Sequence, residues 1–269
     1  MISKALLAAK DKVHIALTEK RILEDLMNTT EFSHMDAPNS GHFVKLNSTF
    51  QDKDNLFFVL EYCQGGDLLS LFETRSEELD EKAVQFYAAN IVVILETLHE
   101  NNVVHRDIKP ENFLIDDQGF LKLIDFGLSK DKMNRRMRSR AFTLTGTSEF
   151  MAPEVLEQTA EGYNFPYDWW SFGCLLYDML IGHTPFHSLS FDMLKQNILT
   201  SEPRFPSHIN ENSRSIIQLL LEKNPSKRQT SADCLRDHPF FEGVDWSIFE
   251  TRDSLKITPP YIPDKVARF

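Results

Sequence analysis

The sequence has few cysteines, no long apolar run and a deficit of positive charge, and the first two shortages each exclude a class of protein. Cys63, Cys174 and Cys234 are an odd number without C-x-x-C spacing, which argues against zinc binding and is typical of free thiols in a reducing compartment. Strictly apolar runs such as Ile91–Leu95 reach five residues, whereas a membrane span needs roughly 20. Ala5–Ala9 is too short for a signal peptide. We therefore expect no membrane span and a location in the cytoplasm or nucleus.

The deficit of positive charge limits the partners that the protein can bind. The 29 Lys and Arg residues against 40 Asp and Glu residues leave a net charge of −11 at pH 7. That charge disfavours binding to nucleic-acid phosphates, so we expect no nucleic-acid partner. With 42% hydrophobic and 26% charged residues, the 269-residue chain can bury a core without disulfides. Its length allows one large domain or two small ones.

Apolar periodicity divides the chain into a strand-containing front and a helical back. Helical spacing predicts a first helix over Asp11–Met27 and a long buried helix that Asp80 caps. Alternation and turn residues predict two front strands and a later hairpin. The strand runs are His42–Asn47, Leu56–Glu61, Phe113–Ile115 and Leu121–Ile124, and further helices are predicted over Tyr167–Ile181, Asp192–Leu199 and Ser213–Glu222.

Three short motifs carry the strongest chemical signal. His105–Asn112 reads H-R-D-I-K-P-E-N, Asp125–Gly127 reads D-F-G, and Ala152–Glu154 reads A-P-E. In this order they resemble the catalytic core of eukaryotic protein kinases. Four more segments resemble the AGC group of Ser/Thr kinases, and the resemblance covers essentially the whole chain. These segments are Thr143–Thr147, Trp169–Trp170, Arg204–Pro206 and Pro259–Pro263.

The resemblance implies an α+β, two-lobed protein-kinase-like fold. Residues 1–62 would form a partial small lobe with the end of a third strand, the first helix and two strands. Residues 63–243 would form a large, mainly helical lobe with the catalytic loop and activation segment, and residues 244–269 would start an extended C-terminal tail.

The small lobe lacks two parts that the family needs, a Gly-rich loop and a third-strand lysine. None of the ten glycines forms G-x-G-x-x-G, and alignment places the lysine immediately before Met1. Glu19 matches the glutamate that pairs with that lysine. Lys4 is a poor replacement, because it would point from the wrong end of the strand. We therefore expect an N-terminally truncated small β lobe.

The catalytic set that the resemblance implies uses ATP and Mg²⁺. Phosphoryl transfer depends on positioning and charge neutralisation. Asp107 would accept the proton of the substrate hydroxyl, and Lys109 would steady the transferred phosphate. Asn112 and Asp125 would bind Mg²⁺, which prefers hard oxygen ligands. The resemblance also places Thr147 among the catalytic residues. Lys109 indicates that the substrates are Ser or Thr.

The nucleotide contacts that the resemblance implies lie between the lobes. Leu60, Glu61 and Cys63 match the hinge, whose backbone would bind the adenine edge. Leu114 would lie beneath the ring, Asp67 would meet the ribose, and Glu19 would complete the set. Leu60 and Leu114 would be core residues in either case, so ordinary strand-end packing explains them equally well.

Acidic positions indicate which protein substrates the chain would accept. Asp67, Glu111 and Asp178 match the acids with which basophilic AGC kinases bind arginines upstream of the target. The alternative is that they are solvated surface acids on an acidic protein. The expected partners are therefore protein substrates with basic residues near Ser or Thr.

Thr143 matches the activating phosphorylation site of AGC kinases. Arg106 and Lys130 match the cations that order the loop through charge-assisted hydrogen bonds to the phosphate. Arg138–Thr143 is itself an R-x-R-x-x-T sequence. Thr143 is therefore expected to be phosphorylated by an upstream kinase or, in trans, by another copy of this chain.

Three further residues match structural positions of the family. Asp168 matches a carboxylate that holds the catalytic-loop backbone, and Glu154 with Arg228 matches a buried ion pair. Two other functions compete with an active protein kinase. One is a truncated pseudokinase or scaffold that binds partners without phosphoryl transfer. The other is a small-molecule kinase, which the peptide-docking segment Thr143–Glu154 disfavours.

Overall fold

The small lobe of the protein is built on a three-stranded antiparallel sheet. A computed structural model describes residues 1–9, 12–28, 41–74, 79–129, 147–157 and 164–264. In the sheet, the third strand lies between the first and the second. The elements are β1 (Ile2–Ser3), α1 (Lys4–Ala9), α2 (Val13–Asn28), β2 (Leu46–Gln51) and β3 (Asn55–Leu60).

A tight turn joins β2 to β3, as the charged sequence there predicts. Asp52 Oδ1 accepts hydrogen bonds from the backbone N–H groups of Asp54 at 2.8 Å and Asn55 at 2.6 Å, which closes the turn. Phe50 and Phe57 are cross-strand partners, and their rings stack with centroids 4.6 Å apart. This pair fixes the register of the hairpin.

The run His42–Asn47 does not form one strand, so the predicted start of β2 was wrong. Leu123 N donates to His42 O at 2.9 Å, and Val44 N donates to Leu123 O at 3.1 Å. The chain therefore pairs first with a strand of the large lobe and only enters β2 at Leu46. Burial lowers the pKa of His42 to about 3, with the nearby Arg252 charge adding to the effect.

The large lobe holds one short hairpin and most of the helices. The predicted hairpin is confirmed as β4 (Phe113–Ile115) paired antiparallel with β5 (Leu121–Leu123). The helices are α3 (Leu68–Thr74), α4 (Glu81–Glu100), α5 (Pro153–Leu156), α6 (Phe165–Ile181), α7 (Phe191–Thr200), α8 (Glu211–Leu220), α9 (Ala232–Arg236) and α10 (Trp246–Thr251). Short 3₁₀ turns cover Pro110–Asn112, Phe126–Leu128, Thr147–Phe150 and Pro239–Phe241.

The core of the large lobe is formed by α4, α6 and α8. Asp80 caps α4 as predicted, because its Oδ1 accepts from Ala83 N at 2.7 Å. Gly173 lets α6 approach α8 closely, since a Cβ at this position would lie 2.8 Å from Leu220 Cβ. Within the described ranges, no helix combines the length and the apolar character that a bilayer span needs.

Residues 244–269, expected to be extended, include the helix α10 before the extended part. Arg252 follows α10 and ties the tail to the hairpin, because its Nη2 lies 2.7 Å from Asp116 Oδ2 and its Nη1 donates to Leu121 O at 2.8 Å. Further along, Gln64 Nε2 donates to the carbonyl of Asp264. The tail therefore runs from the hairpin back to the segment that follows β3. The domain boundaries at residues 62–63 and 243–244 stay predictions.

Candidate active site

The catalytic loop is held by a carboxylate buried in the first turn of α6. Asp168 Oδ2 accepts from the backbone N–H of His105 at 2.9 Å, and its Oδ1 accepts from that of Arg106 at 2.8 Å. His99 Nε2 lies 2.9 Å from the same Oδ2. Arg106 has a φ of +69°, which is unfavourable for a side-chain-bearing residue. Asp168 therefore holds the backbone in the bend that presents the next residue.

That next residue, Asp107, has two carboxylate oxygens in different environments. Oδ2 lies 2.9 Å from Lys109 Nζ and accepts from Asn112 Nδ2 at 3.0 Å. Asn112 Nδ2 also donates to Asp107 O at 2.7 Å, which fixes the carboxylate relative to its own backbone. Oδ1 is buried and has no hydrogen-bond partner within the part of the chain that the structure describes. A buried carboxylate oxygen of this kind can accept a proton or hydrogen bond from an incoming hydroxyl.

Asp125 lies beside this loop through a backbone contact. Ile124 N donates to Asn112 O at 2.9 Å, so the residue that precedes Asp125 is tied to Asn112. Asp125 is exposed, adopts a φ of +61°, and its Oδ1 accepts from Gly127 N at 3.0 Å. A non-glycine residue in this region costs about 1–3 kcal/mol, and such strain concentrates at functional sites. The structure thus brings Asp107, Lys109, Asn112 and Asp125 into one region.

Glu19 on α2 faces the same region from the small lobe. Helix α2 packs on the 3₁₀ turn Phe126–Leu128. Burial and, to a smaller extent, the negative charge of Asp125 raise the pKa of Glu19 to about 7, although the Met1 amino group offsets part of this effect. Lys4 Nζ donates to Asp52 O at 2.6 Å at the hairpin turn instead.

The predicted hinge residues follow β3 directly. Leu60 ends the strand with an exposed side chain, and Glu61 N donates to Lys45 O at 2.8 Å. The Glu61 carboxylate lies 2.5 Å from Lys122 Nζ, so this side chain is engaged in an ion pair. Cys63 is buried, and burial raises the pKa of its thiol to about 11.

Two other predicted nucleotide contacts lie where the hinge enters the large lobe. Asp67 and Leu114 form an isolated antiparallel β-bridge, and the Leu114 side chain is half-buried. Asp67 Oδ1 accepts from Ser70 N at 2.7 Å, which caps the first turn of α3. Asp67 therefore caps α3, in addition to any contact that it makes with a ligand.

Glu111 and Asp178 belong to an acidic patch that also contains Glu149. Burial raises the pKa of Asp178 to about 6, and the negative charges of Glu149 and Glu111 add to the effect, while His183 opposes it. The sequence did not single out Glu149. Its position two residues after Thr147, within the segment expected to dock peptides, was the signal that could have identified it.

Two neighbouring side chains hold Glu149 in place. Thr184 Oγ1 donates to Glu149 Oε2 at 2.5 Å, and His187 Nδ1 lies 2.8 Å from Glu149 Oε1. Both come from the loop between α6 and α7, 35 and 38 residues further along the chain. Glu149 thus joins this loop to the segment after Thr147.

Glu154 and Arg228 form the buried ion pair that the sequence predicts. Arg228 Nη1 donates to Glu154 Oε1 at 2.7 Å, and Nη2 donates to Oε2 at 2.9 Å, in a bidentate arrangement. The same guanidinium donates to Pro166 O at 2.8 Å and Glu222 O at 2.9 Å. The pair therefore joins α5 to α6 and to the loop after α8.

Some predicted positions cannot be placed. Thr143 and Lys130 lie outside the described residues. For Thr147 the structure gives the backbone, as the first residue of the 3₁₀ turn Thr147–Phe150. Arg106 is placed in the catalytic loop, where Asp168 binds its backbone N–H.

The donor set fits ATP with Mg²⁺. Asn112 and Asp125 contribute hard oxygen atoms, and Mg²⁺ usually takes one or two such protein ligands and completes its shell with water and phosphate oxygens. The unpartnered Oδ1 of Asp107 is available next to Lys109, whose charge would attract a phosphate. The chemistry of these residues therefore suits a bound nucleoside triphosphate.

Comparison with known proteins agrees with this geometry. The protein kinase domain family matches residues 6–241. The chain is 38% identical over 253 residues to protein kinase C-like 1 of Caenorhabditis elegans, covering 90% of this chain and 35% of that protein. It is 37% identical over 262 residues to the protein kinase C delta type of Mus musculus, covering 97% of this chain and 36% of that protein.

A third relative extends the similarity beyond protein kinase C. The chain is 36% identical over 264 residues to a RAC family serine/threonine-protein kinase homolog of Dictyostelium discoideum, covering 98% of this chain and 55% of that protein. The chain thus spans between about a third and about half of the length of these relatives. The chain belongs to the protein kinase domain family, within its AGC group of serine/threonine kinases.

Proposed function

We propose that the protein is a serine/threonine protein kinase that transfers the γ-phosphate of ATP to Ser or Thr hydroxyls, in substrates that contain arginine. The observation that carries the proposal is the environment of Asp107. Its Oδ2 is fixed by Lys109 and Asn112, while its buried Oδ1 has no partner among the described residues. A carboxylate that is held on one oxygen and has an unsatisfied acceptor on the other suits proton acceptance from a substrate hydroxyl.

In this mechanism the large lobe positions the base. Asp168 holds the backbone on the N-terminal side of Asp107, and Asn112 holds the side chain from the C-terminal side. The substrate hydroxyl would donate its proton to Asp107 Oδ1. Lys109, 2.9 Å from Oδ2, would balance the negative charge of the carboxylate and of the transferred phosphate. Most of the catalysis is thus positioning and charge neutralisation.

Asn112 and Asp125 are the residues that would hold Mg²⁺. When bound, the metal would neutralise phosphate charge and fix the orientation of the phosphates. The backbone that leads into Asp125 lies next to Asn112, because Ile124 N donates to Asn112 O. The Glu61 side chain is paired with Lys122, so it is not the group that would bind the adenine edge. The backbone between Glu61 and Cys63 would bind it instead.

The preference for arginine-containing substrates rests on the acidic patch. Asp178, Glu149 and Glu111 repel one another enough to contribute to the raised pKa of Asp178. A guanidinium placed among them would relieve that repulsion and bind through charge-assisted hydrogen bonds. We also propose that Thr143 is the activating phosphorylation site, and that its own R-x-R-x-x-T sequence makes it a substrate of another copy.

One observation favours a second function, a scaffold that binds partners without phosphoryl transfer. Among the described residues, no side-chain cation is found among the charges that act on Glu19, and its raised pKa follows from burial and from Asp125. Losing one preorganised donor that stabilises developing negative charge costs about 2.7–4 kcal/mol of activation free energy, or a rate factor of about 10²–10³, as measured for oxyanion holes. A scaffold would tolerate that loss completely.

The test is transfer of labelled phosphate from [γ-³²P]ATP to a synthetic peptide with Arg three and five residues before a single Thr. We expect slow transfer by the 269-residue chain, abolished in Asp107→Asn and retained in a Leu255→Ser control on an exposed surface. Replacing both arginines of the peptide by alanine should raise its KM at least 10-fold. Equal labelling by the Asp107→Asn variant, or none by either, would reject the kinase and leave the scaffold.

A further inference from the structure

One residue, Glu61, connects the start of the hinge to both lobes. On the small-lobe side, its backbone N donates to Lys45 O at 2.8 Å. On the other side, its carboxylate Oε1 lies 2.5 Å from the Nζ of Lys122, which belongs to β5 of the large lobe. The Lys122 side chain therefore ties the start of the hinge to the large lobe.

Lys122 also lies beside the predicted floor of the adenine pocket. Lys122 and Leu114 are direct cross-strand partners in the β4–β5 hairpin. Directly opposed residues of an antiparallel pair project from the same face of the sheet. Both residues are half-buried, whereas their neighbours along the two strands are buried on the other face. Lys122 therefore extends to Glu61 from the face of the hairpin that carries Leu114.

The far end of the hinge is anchored without Lys122. Gly65 N donates to Ile115 O at 2.9 Å, and Ile115 N donates to Gly66 O at 2.9 Å. Between the two anchors, no backbone hydrogen bond within the described ranges engages Glu61 O or Cys63 N. These two groups are an acceptor and a donor, two residues apart, and both are available to the edge of a planar base. Their direction depends on both anchors.

We propose that Lys122 is a positioning residue for the adenine base, because it fixes the backbone of Glu61 relative to Leu114. The inference rests on the proposed function, since it takes ATP as the nucleotide at the hinge. The side chains of Lys122 and Glu61 are only 12% and 26% exposed, so solvent ions screen their attraction little. Without this ion pair, the backbone N–H of Glu61 alone would hold the start of the hinge, through Lys45 in the small lobe.

Displacement of a fluorescent ATP analogue tests this role without requiring phosphoryl transfer. Mant-ATP with Mg²⁺ is bound to the purified 269-residue chain and displaced either by ATP or by inorganic tripolyphosphate, which has the phosphates but no base. Lys122→Met should weaken ATP binding about 5-fold, as expected for one misaligned hydrogen bond, and leave tripolyphosphate binding unchanged. Lys122→Arg keeps the charge and should restore ATP binding. Lys256→Met is the matched control, because Lys256 pairs with Asp253 on an exposed surface, and it should change neither Kd.

A double variant shows whether Lys122 acts through Glu61. Glu61→Gln should weaken ATP binding as much as Lys122→Met does, and the two substitutions together should weaken it no further, because they remove the same ion pair. Thermal unfolding verifies that all variants fold. Additive losses, equal weakening of ATP and tripolyphosphate, unchanged ATP binding by Lys122→Met, or no saturable binding of mant-ATP would overturn the positioning role.

The binding and labelling assays can fail separately. The expected pattern of ATP binding without any labelling of the peptide would reject the kinase and keep the positioning role of Lys122. Labelling of the peptide together with unchanged ATP binding by Lys122→Met would keep the kinase and reject the positioning role.

Discussion

Glu19→Gln should stabilise the protein in a pH-dependent way. Glu19 lies on α2, partly buried and close to Asp125, and both effects favour its protonated form. Its pKa rises from an ordinary value of 4.5 to about 7 in the folded protein. The folded state holds this proton more tightly than the unfolded state does. The free energy of unfolding is therefore not reduced by Glu19 below pH 4.5, and it falls as the pH rises from 4.5 towards 7.

The size of the effect follows from the two pKa values. Each pH unit between them is worth about 1.4 kcal/mol, so complete ionisation costs the folded state about 3 kcal/mol. At pH 5 only a small part of this cost is present, and at pH 8 nearly all of it. The substitution removes the carboxylate, so the stabilisation by Glu19→Gln should be about 2 kcal/mol greater at pH 8 than at pH 5.

Urea unfolding followed by tryptophan fluorescence at pH 5 and pH 8 measures this difference. Glu24→Gln is the matched control, because Glu24 lies on the same helix, is exposed and pairs with Lys20 at 3.4 Å. Such an exposed pair is worth at most about 1 kcal/mol, so the control should change little between the two pH values. A stabilisation by Glu19→Gln that is equal at both pH values would refute the reasoning, and so would a loss of stability at pH 8.

Two further predictions concern the large lobe and the thiols. Arg228→Met should cost about 3–5 kcal/mol in urea unfolding, because it leaves the Glu154 carboxylate buried without its partner, whereas a loss below 1 kcal/mol would contradict the buried ion pair. Iodoacetamide at pH 8 should label the exposed Cys234 first in mass spectrometry. Cys63 and Cys174 should react only after unfolding, because burial raises the pKa of both thiols, and equal labelling of Cys174 would count against this.

Features that depend on local sequence could be predicted well. The cap of α4 could be predicted because the Asp80 side chain accepts its hydrogen bond from Ala83 N, in the first turn of the same helix. The β4–β5 hairpin was predicted from two short apolar runs around a turn that ends at Gly119, whose φ is +88°. Both signals lie within a few residues, and the tertiary fold does not override them.

Features that depend on distant contacts could not be predicted. The strand expected at His42–Asn47 starts only at Leu46, because Leu123, far along the chain, supplies the hydrogen bonds of His42 and Val44. The position of Glu149 two residues after Thr147 could have marked it as a candidate, but its contacts with the α6–α7 loop exist only in the folded chain. The short helices α1, α3, α9 and α10 lack the length that apolar periodicity needs for recognition.

The position of Asp107 does not depend on the small lobe. Asp168 holds the backbone of its loop, and Lys109 and Asn112 hold its carboxylate, and all three residues lie in the large lobe. Glu19 and the hinge, in contrast, would act on the nucleotide. The lack of a side-chain cation beside Glu19 among the described residues should therefore weaken nucleotide positioning and slow transfer. It should leave the geometry of Asp107 intact. For this reason residual labelling that disappears in Asp107→Asn distinguishes a slow kinase from a scaffold.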